Sequence, residues 1–286
     1  MNAILPYAAI DKKMSTALAK MAIRALYLEV KAYPKPGLVS FIDAGAHHDM
    51  NGETFYRSLF GLRHFFQQIA KLSLVEFSFE SLKKLAIEAE FTMLEKTQGI
   101  NTHRGAIFAL GIICVSVARL SRKKESFTPI ELRTQIVNDW QMPLAYHQSN
   151  SLSHGALVRK VYHIVDAKQM AMEGYNVLFQ LLPSFIALYT ETQSLDITCL
   201  YAYLEILLKI DDTNILYRKG EEGLNYAKTH ARELLAITCF KKRQMHALTI
   251  HHQFSQRGIS PGGVADLVAV LLFLGQIFCE RLRCHC

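Results

Sequence analysis

The segment GINTHRGAIFALGIICVSVARL, residues 99–120, sets the architecture expected of this 286-residue chain. Asn101 or Thr102 is suited to the N-cap of a helix, because a side-chain oxygen there accepts a hydrogen bond from a free N–H group of the first turn. The residues that follow are apolar on nearly every side, a pattern typical of a helix buried at the centre of a protein. The sequence therefore predicts a fold built around one buried central helix.

Helical patterns cover most of the chain on both sides of this segment. After Asn51, apolar residues recur at intervals of four and three from Phe55 to Ile69, which indicates an amphipathic helix. Similar patterns predict helices over residues 14–33, 81–97, 158–173, 177–189, 197–210, 224–239 and 245–256. The polar residues 121–153 predict a short helix and then a mobile connection, and no run alternates convincingly as a strand. We therefore expect an all-α fold in which residues 1–286 form a single multi-helix globular domain.

Composition limits the classes of function. Half of the residues are hydrophobic and a fifth are charged, which allows a sizeable core and argues against general disorder. The longest apolar runs, residues 108–118 and 267–279, are too short for a membrane span, and no signal-peptide pattern opens the chain, so we expect a cytoplasmic protein. The net charge of +7 is spread over basic clusters without interleaved aromatic residues, which favours an anionic small molecule over nucleic acid. The cysteines are expected to be reduced, buried thiols.

The segment PKPGLVSFIDAGAHHDM, residues 34–50, concentrates unusual chemistry. Prolines on both sides of Lys35 restrict the backbone, so we expect the lysine to be presented on a stiff arm, with a sharp turn at Gly37. His47 and Asp49 follow, and lysine, histidine and aspartate together can bind a phosphate, hold a hard cation or move a proton. The alternative interpretation is a connection between two helices with a solvated lysine and a capping aspartate. Glu29, one turn earlier on a buried helix face, needs a cation or a polar pocket.

Two further segments place charged groups at predicted helix ends. His103 and Arg104 would lie at the positive end of the buried central helix, which is suited to bind an anion; ordinary capping with a surface arginine is the alternative. In DDTNILYRKGEEG, residues 211–223, Asp212 is expected at a helix C-terminus, where it opposes the helix dipole unless a cation is near. Arg218 in the same segment can reach a phosphate, and a simple polar turn is the alternative.

A fourth segment, ISPGGVADLVAVLLFL, covers residues 259–274. Ser260 and the proline after it start a helix in the preferred way, while Gly262 and Gly263 allow close approach of the backbone to a ligand or to another helix. Asp266 is expected in the first turn of this helix, where it either stabilises the helix dipole or contacts a cation or a substrate hydroxyl.

The motifs PKPGLVS with GAHHDM, NTHRGAIF, DTNILYR and SPGGVADL resemble, in order and approximate spacing, those of the triphosphoribosyl-dephospho-coenzyme A synthase family. Ser40, Arg104 and the run FYRSLFGLRHFF, residues 55–66, resemble the malonate decarboxylase branch more than the citrate lyase branch. The resemblance implies an all-helical enzyme that moves the triphosphoribosyl unit of ATP onto the ribose hydroxyl of 3′-dephospho-CoA and releases adenine. The product would be the precursor of an acyl-carrier-protein prosthetic group, so a downstream transferase and that carrier are indirect partners.

This reaction suggests roles for the polar residues of the four segments. Breaking an N-glycosidic bond builds positive charge on the sugar, so carboxylates should flank the anomeric carbon while cations hold the triphosphate. The expected catalytic residues are Glu29, His47, Asp49, Asp212 and Asp266, with Mg²⁺ on Asp49 and Asp212. The expected substrate- and phosphate-binding residues are Lys35, Gly37, Asn101, Thr102, His103, Arg104, Thr213, Asn214, Arg218, Ser260, Gly262 and Gly263. Replacing Asp212 with alanine is expected to abolish adenine release without unfolding the protein.

The chain departs from the family pattern at one element. Lys168 replaces an arginine and Met170 replaces an acid, which removes a bidentate cation and a carboxylate. A catalytically degenerate relative that only binds nucleotide is therefore one alternative function. Another alternative is an N-ribosyl hydrolase of ADP-ribose-like substrates, which would use similar aspartates at helix ends.

Overall fold

The structure is a computed structural model that describes residues 7–72, 78–147, 158, 161–162 and 164–284. Within these ranges there are twelve helices and no strand, so the prediction of an all-α fold is confirmed. The helices are α1 Tyr7–Lys31, α2 Gly52–Leu72, α3 Phe79–Lys96, α4 Arg104–Lys123, α5 Pro129–Tyr146, α6 Ala167–Met172, α7 Asn176–Thr192, α8 Leu195–Lys209, α9 Thr213–Ala236, α10 Phe240–Arg257, α11 Gly262–Phe278 and α12 Glu280–Cys284.

Helix α4 is the central helix that the sequence predicts. Almost every residue from Ala106 to Leu120 is buried, and α4 packs against α1, α2, α3, α5 and α11. In the described part of the chain it is also the one helix long and apolar enough to cross a membrane, but 72% of its apolar window is buried inside the fold. That burial identifies α4 as a core helix. Helix α11, buried from Leu267 to Gln276, packs against α4 and forms the second half of the core.

The structure differs from the predicted helices in three main places, and one of them is α9, which begins at Thr213 and not at residue 224. Residues 129–146 form one long helix, α5, because Thr128 and Glu131 make a reciprocal capping box and Pro129 occupies the first turn. The connection predicted to follow lies largely outside the described residues. The helix predicted over residues 158–173 is wrong at residues 164–166, where the backbone is not helical and Asp166 caps the short helix α6. Helix α7 continues through Pro183.

The cysteines follow the prediction only in part. Cys114 and Cys199 are free and buried, whereas Cys239 is free but exposed just before α10. Its apolar neighbours indicated burial, but the position ahead of the first turn of α10 leaves it on the surface.

The packing brings several helix ends to one place. The N-termini of α4, α9 and α11 and the C-terminus of α1 meet there, because Gly105 of α4 lies against Asp266 of α11 and Asp212 at the start of α9 reaches Val264 of α11. Free N–H groups at helix starts and free carbonyls at helix ends make such a meeting point strongly polar. This is where the candidate site lies.

Candidate active site

Asp212 joins the starts of two helices. Its Oδ1 accepts hydrogen bonds from the backbone N–H groups of Asn214 (2.9 Å) and Ile215 (3.0 Å) in α9, and its Oδ2 accepts one from Val264 (2.9 Å) in α11. The expectation that Asp212 opposes a helix dipole is therefore wrong. Helix α8 ends before it, since Ile210 is already extended, and Asp212 is the N-cap of α9, where its charge is favoured.

Two glycines make this joint possible. A Cβ atom on Gly263 would lie 3.0 Å from Asp212 Oδ2, and one on Gly262 would lie 2.8 Å from Asn214 Nδ2. The start of α11 therefore packs directly on the start of α9, which includes Thr213 as its first residue. The predicted close approach to another helix is confirmed.

Asp266 faces the start of the central helix. It lies in the second turn of α11, one turn later than expected, because α11 begins at Gly262. A Cβ atom on Gly105 would lie 2.0 Å from Asp266 Oδ2, so only glycine fits there, and the Ala106 N–H donates a hydrogen bond to the carboxyl group. Loss of hydration raises the pKa of Asp266 well above its usual range, and the charges of Glu29 and Asp212 raise it further.

Glu29 and Lys35 form a buried pair at the C-terminus of α1. Lys35 is 1% exposed, and its Nζ lies 3.5 Å from Glu29 Oε1 and donates to the backbone carbonyls of Glu29 (2.5 Å) and Ala32 (2.6 Å). The expectation of a presented lysine is wrong: Gly37, with φ of 76°, turns the segment, and the free carbonyls of the helix end attract the ammonium group. Burial raises the pKa of Glu29 although Lys35 opposes the shift.

Glu29, Asp212 and Asp266 consequently act on one another electrostatically. The charges of Glu29 and Asp212 both raise the pKa of Asp266. Burial raises the pKa of Asp212 to about 6, although its backbone hydrogen bonds lower it. Carboxyl groups whose pKa values are shifted toward neutrality can donate or accept a proton under physiological conditions, and such groups are concentrated in active sites. We call these three residues the carboxylate cluster.

A second contact joins two of the four segments. His47 Nε2 lies 2.9 Å from Ser260 Oγ, and His47 Nδ1 lies 3.3 Å from Asp49 Oδ1. Burial lowers the pKa of His47, and the positive charge of Arg218 lowers it further, so the guanidinium is close by. Asp49 itself is 60% exposed along its side chain, and the hydrogen bonds of Asp212 go to backbone amides, so no contact joins these two described residues as a magnesium pair.

The start of α4 is arranged differently from the expectation. His103 is buried, its Nδ1 lies 2.7 Å from Ser58 Oγ, and burial lowers its pKa to about 3, so its imidazole is neutral and not a cationic phosphate ligand. Arg104 is half exposed and its Nε donates to Glu90 at 2.9 Å. The helix begins at Arg104, and Asn101 Oδ1 accepts the Arg104 N–H at 3.1 Å. His103 Nε2 and the Thr102 hydroxyl are buried without a partner among the described residues.

The sequence did not reveal a buried network that holds residues 34–50. His251 of α10, 1% exposed, donates from Nε2 to Asp43 Oδ1 (2.8 Å), and its Nδ1 accepts the Gly37 N–H (3.2 Å). Asp43 Oδ2 accepts the hydroxyl of Tyr33 at 2.9 Å, and burial with this bond raises the pKa of Tyr33 to about 12. A histidine 208 residues away in sequence from its partner leaves no local pattern that would have indicated it.

Replacing His251 with alanine is expected to loosen residues 37–46 and to lower the free energy of unfolding by about 2–4 kcal/mol, because Asp43 and the Gly37 N–H lose a buried partner. Hydrogen exchange of the Gly37–Ala46 amides and urea unfolding measure the two effects. The matched control is the neighbouring His252, which is exposed, and its alanine variant should change stability by less than about 0.5 kcal/mol. Equal behaviour of the two variants would contradict the role of His251.

An all-α fold with ionisable groups gathered at helix ends and shifted in pKa is the arrangement of an enzyme. A family model described as ATP:dephospho-CoA triphosphoribosyl transferase matches residues 15–283. The chain belongs to this transferase family.

Three similar relatives carry the same name, "probable 2-(5″-triphosphoribosyl)-3′-dephosphocoenzyme-A synthase". The protein of Acinetobacter calcoaceticus is 32% identical over 261 residues, which is 90% of this chain and 89% of the relative. The protein of Citrobacter koseri is 32% identical over 284 residues, 94% and 93% of the two chains. That of Pseudomonas fluorescens is 33% identical over 277 residues, 92% of each. No solved structure matches the chain.

Proposed function

We propose that this enzyme transfers the triphosphoribosyl group of ATP to a ribose hydroxyl of 3′-dephospho-CoA and releases adenine. The observation that carries the proposal is the carboxylate cluster: Asp212 and Asp266 lie where the starts of α4, α9 and α11 come together, and the charges of Glu29, near the end of α1, and of Asp212 both raise the pKa of Asp266. Cleavage of the bond between ribose and adenine builds positive charge on the sugar, and carboxyl groups at the reacting carbon stabilise that charge. Family membership supplies independent support.

Within this proposal the residues have distinct tasks. Asp266 accepts the proton of the incoming hydroxyl, because its raised pKa makes it a strong base for a carboxylate. Glu29 shares this task and is held in place by Lys35. Asp212 mainly fixes the starts of α9 and α11, and its charge adds to that of the cluster. His47 contacts Ser260, and because its lowered pKa keeps the imidazole neutral, it would protonate the departing adenine only as a relay that draws a proton from a neighbouring group.

The phosphates require positive groups close to the cluster. Arg218 is exposed and near His47, and the starts of α4 and α11 direct backbone N–H groups toward the same region. Helix starts bind phosphate through such groups. Lys35, with its donors engaged inside the protein, and His103, which is neutral, contribute to the shape of the site in this arrangement.

Magnesium belongs to the proposal as part of the nucleotide. Among the described residues no group of three or more His, Cys, Asp or Glu side chains is arranged to hold a metal ion. The donor set fits an ion that arrives with the triphosphate, since Mg²⁺ keeps several waters and typically takes one or two carboxylates beside phosphate oxygens. With Asp266 and Glu29 assigned to proton transfer, Asp49, which is 60% exposed along its side chain, would be the carboxylate available to the ion. When bound, the ion would neutralise phosphate charge.

The proposal also includes the pathway in which the enzyme works. We place the chain in the malonate decarboxylase branch, with a downstream transferase and an acyl carrier protein as indirect partners, in the cytoplasm. Ser40 after PKPGLV supports the branch by its sequence resemblance; its Oγ accepts the N–H groups of Ile42 and Asp43 and shapes the turn before His47. The run of residues 55–66 supports it by the same sequence resemblance; of its aromatic side chains, Tyr56 and Phe60 are exposed, whereas Phe65 and Phe66 are buried.

Incubation of the purified protein with ATP and Mg²⁺, with and without 3′-dephospho-CoA, tests the function. Adenine measured by chromatography and the adduct measured by mass should both appear only when the acceptor is present. Adenine released equally without acceptor would identify an N-ribosyl hydrolase instead. ATP binding in calorimetry without any adenine release would identify a catalytically degenerate relative, the alternative suggested by Lys168 and Met170.

In the structure, Lys168 donates a hydrogen bond to the His147 carbonyl, and Met170 packs against the core.

A further inference from the structure

We propose that the groove between α1 and α2 binds the pantetheine arm of the acceptor, with the adjoining diphosphate at its basic rim. The inference rests on the proposed function, because it assigns a place to the part of 3′-dephospho-CoA that does not react. It is carried by the cavity, its charge and its position beside residues 34–50.

The groove has the size and lining of a small-molecule site. Its cavity volume is about 500 Å³, within the roughly 300–1,000 Å³ of typical ligand pockets. Ala19, Ile23 and Leu59 form an apolar floor, and Tyr27, Tyr56 and Phe60 stand along it with 36%, 58% and 60% of their surfaces exposed. Exposed aromatic side chains around an apolar floor favour an apolar ligand, and the two phenol hydroxyls can bond its amides.

The charged side chains that line the groove are basic. Lys20, Arg24, Arg63 and His64 line it, and none of the described lining residues is acidic. Arg63 also lies 3.8 Å over the ring of Phe60, which holds the guanidinium at the rim. A ligand that combines an apolar arm with phosphate groups complements this lining, because cations on a low-dielectric wall attract anions strongly.

One end of the groove adjoins the candidate site. The ring of Tyr27 contacts that of Phe41, with centroids 5.4 Å apart, and Phe41 belongs to the segment that also carries His47. The other end is closed by a hydrogen bond from Gln67 Nε2 to Thr16 Oγ1 at 3.1 Å. From Tyr27 to Thr16 the groove follows α1 for roughly 16 Å at 1.5 Å per residue, a length that suits an extended pantetheine arm.

A small ligand fits this groove better than a partner protein does. The hydrogen bond between Thr16 and Gln67 joins α1 and α2 at the far end of the groove. A docked helix would have to continue past this bond, whereas a pantetheine arm would end there. An amide-bearing arm can also bond Gln67 and Thr16, whose side chains are hydrogen-bonded to each other across this end. The run of residues 55–66 forms one wall of the groove, so the segment that distinguishes the branch would contact the acceptor.

Replacing Tyr56 with alanine tests the proposal by steady-state kinetics with varied ATP and varied 3′-dephospho-CoA. The KM for 3′-dephospho-CoA should rise about 10-fold, the loss expected for one aromatic contact, while kcat and the KM for ATP stay unchanged. Phe60→Ala should act in the same way. Phe91→Ala is the matched control, because Phe91 is 71% exposed on α3 and away from the groove lining.

Unchanged acceptor KM in Tyr56→Ala and Phe60→Ala would overturn the proposal, as would equal rises for both substrates. A change of oligomeric state in these variants by light scattering would overturn it in favour of a second copy of the chain. If the wild type forms no adduct, the proposed function fails. Calorimetry with pantetheine 4′-phosphate then tests, independently of that function, whether the groove binds the pantetheine arm. Weaker binding to Tyr56→Ala than to wild type and Phe91→Ala would support the site, and equal binding would overturn it.

Discussion

Replacing Asp266 with asparagine is expected to lower the rate of adenine release by about 100- to 10,000-fold, the range typical of a lost general acid or base. The amide keeps the shape of the side chain beside Gly105, where there is no room for a larger group. It does not keep the proton-accepting carboxylate. Turnover measured with ATP and 3′-dephospho-CoA, compared with ATP binding by calorimetry, separates loss of chemistry from loss of substrate.

The same variant should not be less stable than the wild type. A carboxyl group whose folded-state pKa is raised binds its proton more tightly in the folded than in the unfolded protein, so ionisation destabilises the fold as the pH rises. The stability of Asp266→Asn relative to wild type should therefore increase as the pH rises from the ordinary value of 3.8 toward the raised pKa, and then level off. Urea unfolding at several pH values measures this. A stability difference that stays constant with pH would contradict the raised pKa.

Asp139 offers a matched control for the removal of a buried aspartate. It accepts a hydrogen bond from Ser116 at 2.8 Å and lies 3.3 Å from the guanidinium of Arg119, between α4 and α5. Asp139→Asn should lower the free energy of unfolding by about 1–3 kcal/mol and leave adenine release per folded molecule unchanged. Similar activity losses at Asp139 and Asp266 would show that Asp266 acts through the fold rather than through chemistry.

Replacing Asp212 with alanine is expected to lower the free energy of unfolding by about 2–5 kcal/mol, because N–H groups at the starts of two helices lose their acceptor. The sequence alone predicts loss of activity in an intact fold; the structure adds the loss of stability, since Asn214, Ile215 and Val264 all bond this one side chain. Thermal and urea unfolding, together with adenine release per folded molecule, measure both effects.

Its neighbour Asp211 provides the comparison. Asp211 is 41% exposed along its side chain and pairs with Lys228 at 2.6 Å. Such a surface pair contributes about 1 kcal/mol or less, so Asp211→Ala should remain close to wild type in stability and activity. Asp212→Asn, which retains one acceptor oxygen, should fall between the two alanine variants. An Asp212→Ala protein as stable as Asp211→Ala would contradict the bridging role.

The helices were predictable because they depend on local patterns. The apolar surface of residues 106–120 is visible in sequence, and α4 is buried as that surface requires. The contact of His47 with Ser260 was also expected, because each lies in a segment that is rich in Gly or Pro and in chemical groups.

What could not be predicted depends on distant partners. The direction of Lys35 is set by the free carbonyls of α1 after the turn at Gly37, and a sequence does not show which way such a turn leads. Asp212 follows one helix and begins another, and only the packing of α11 reveals that it caps both. His251 reaches Asp43 through the tertiary fold alone.

The site also has a consequence for biosynthesis. Asp266 and the amide that fixes Asp212 both lie on α11, Gly262–Phe278, while Glu29 comes from α1. During translation the ribosome releases α1 early and α11 late, so a nascent chain cannot assemble the carboxylate cluster before α11 has emerged and docked. A premature stop anywhere before that helix removes Asp266 and half of the core together.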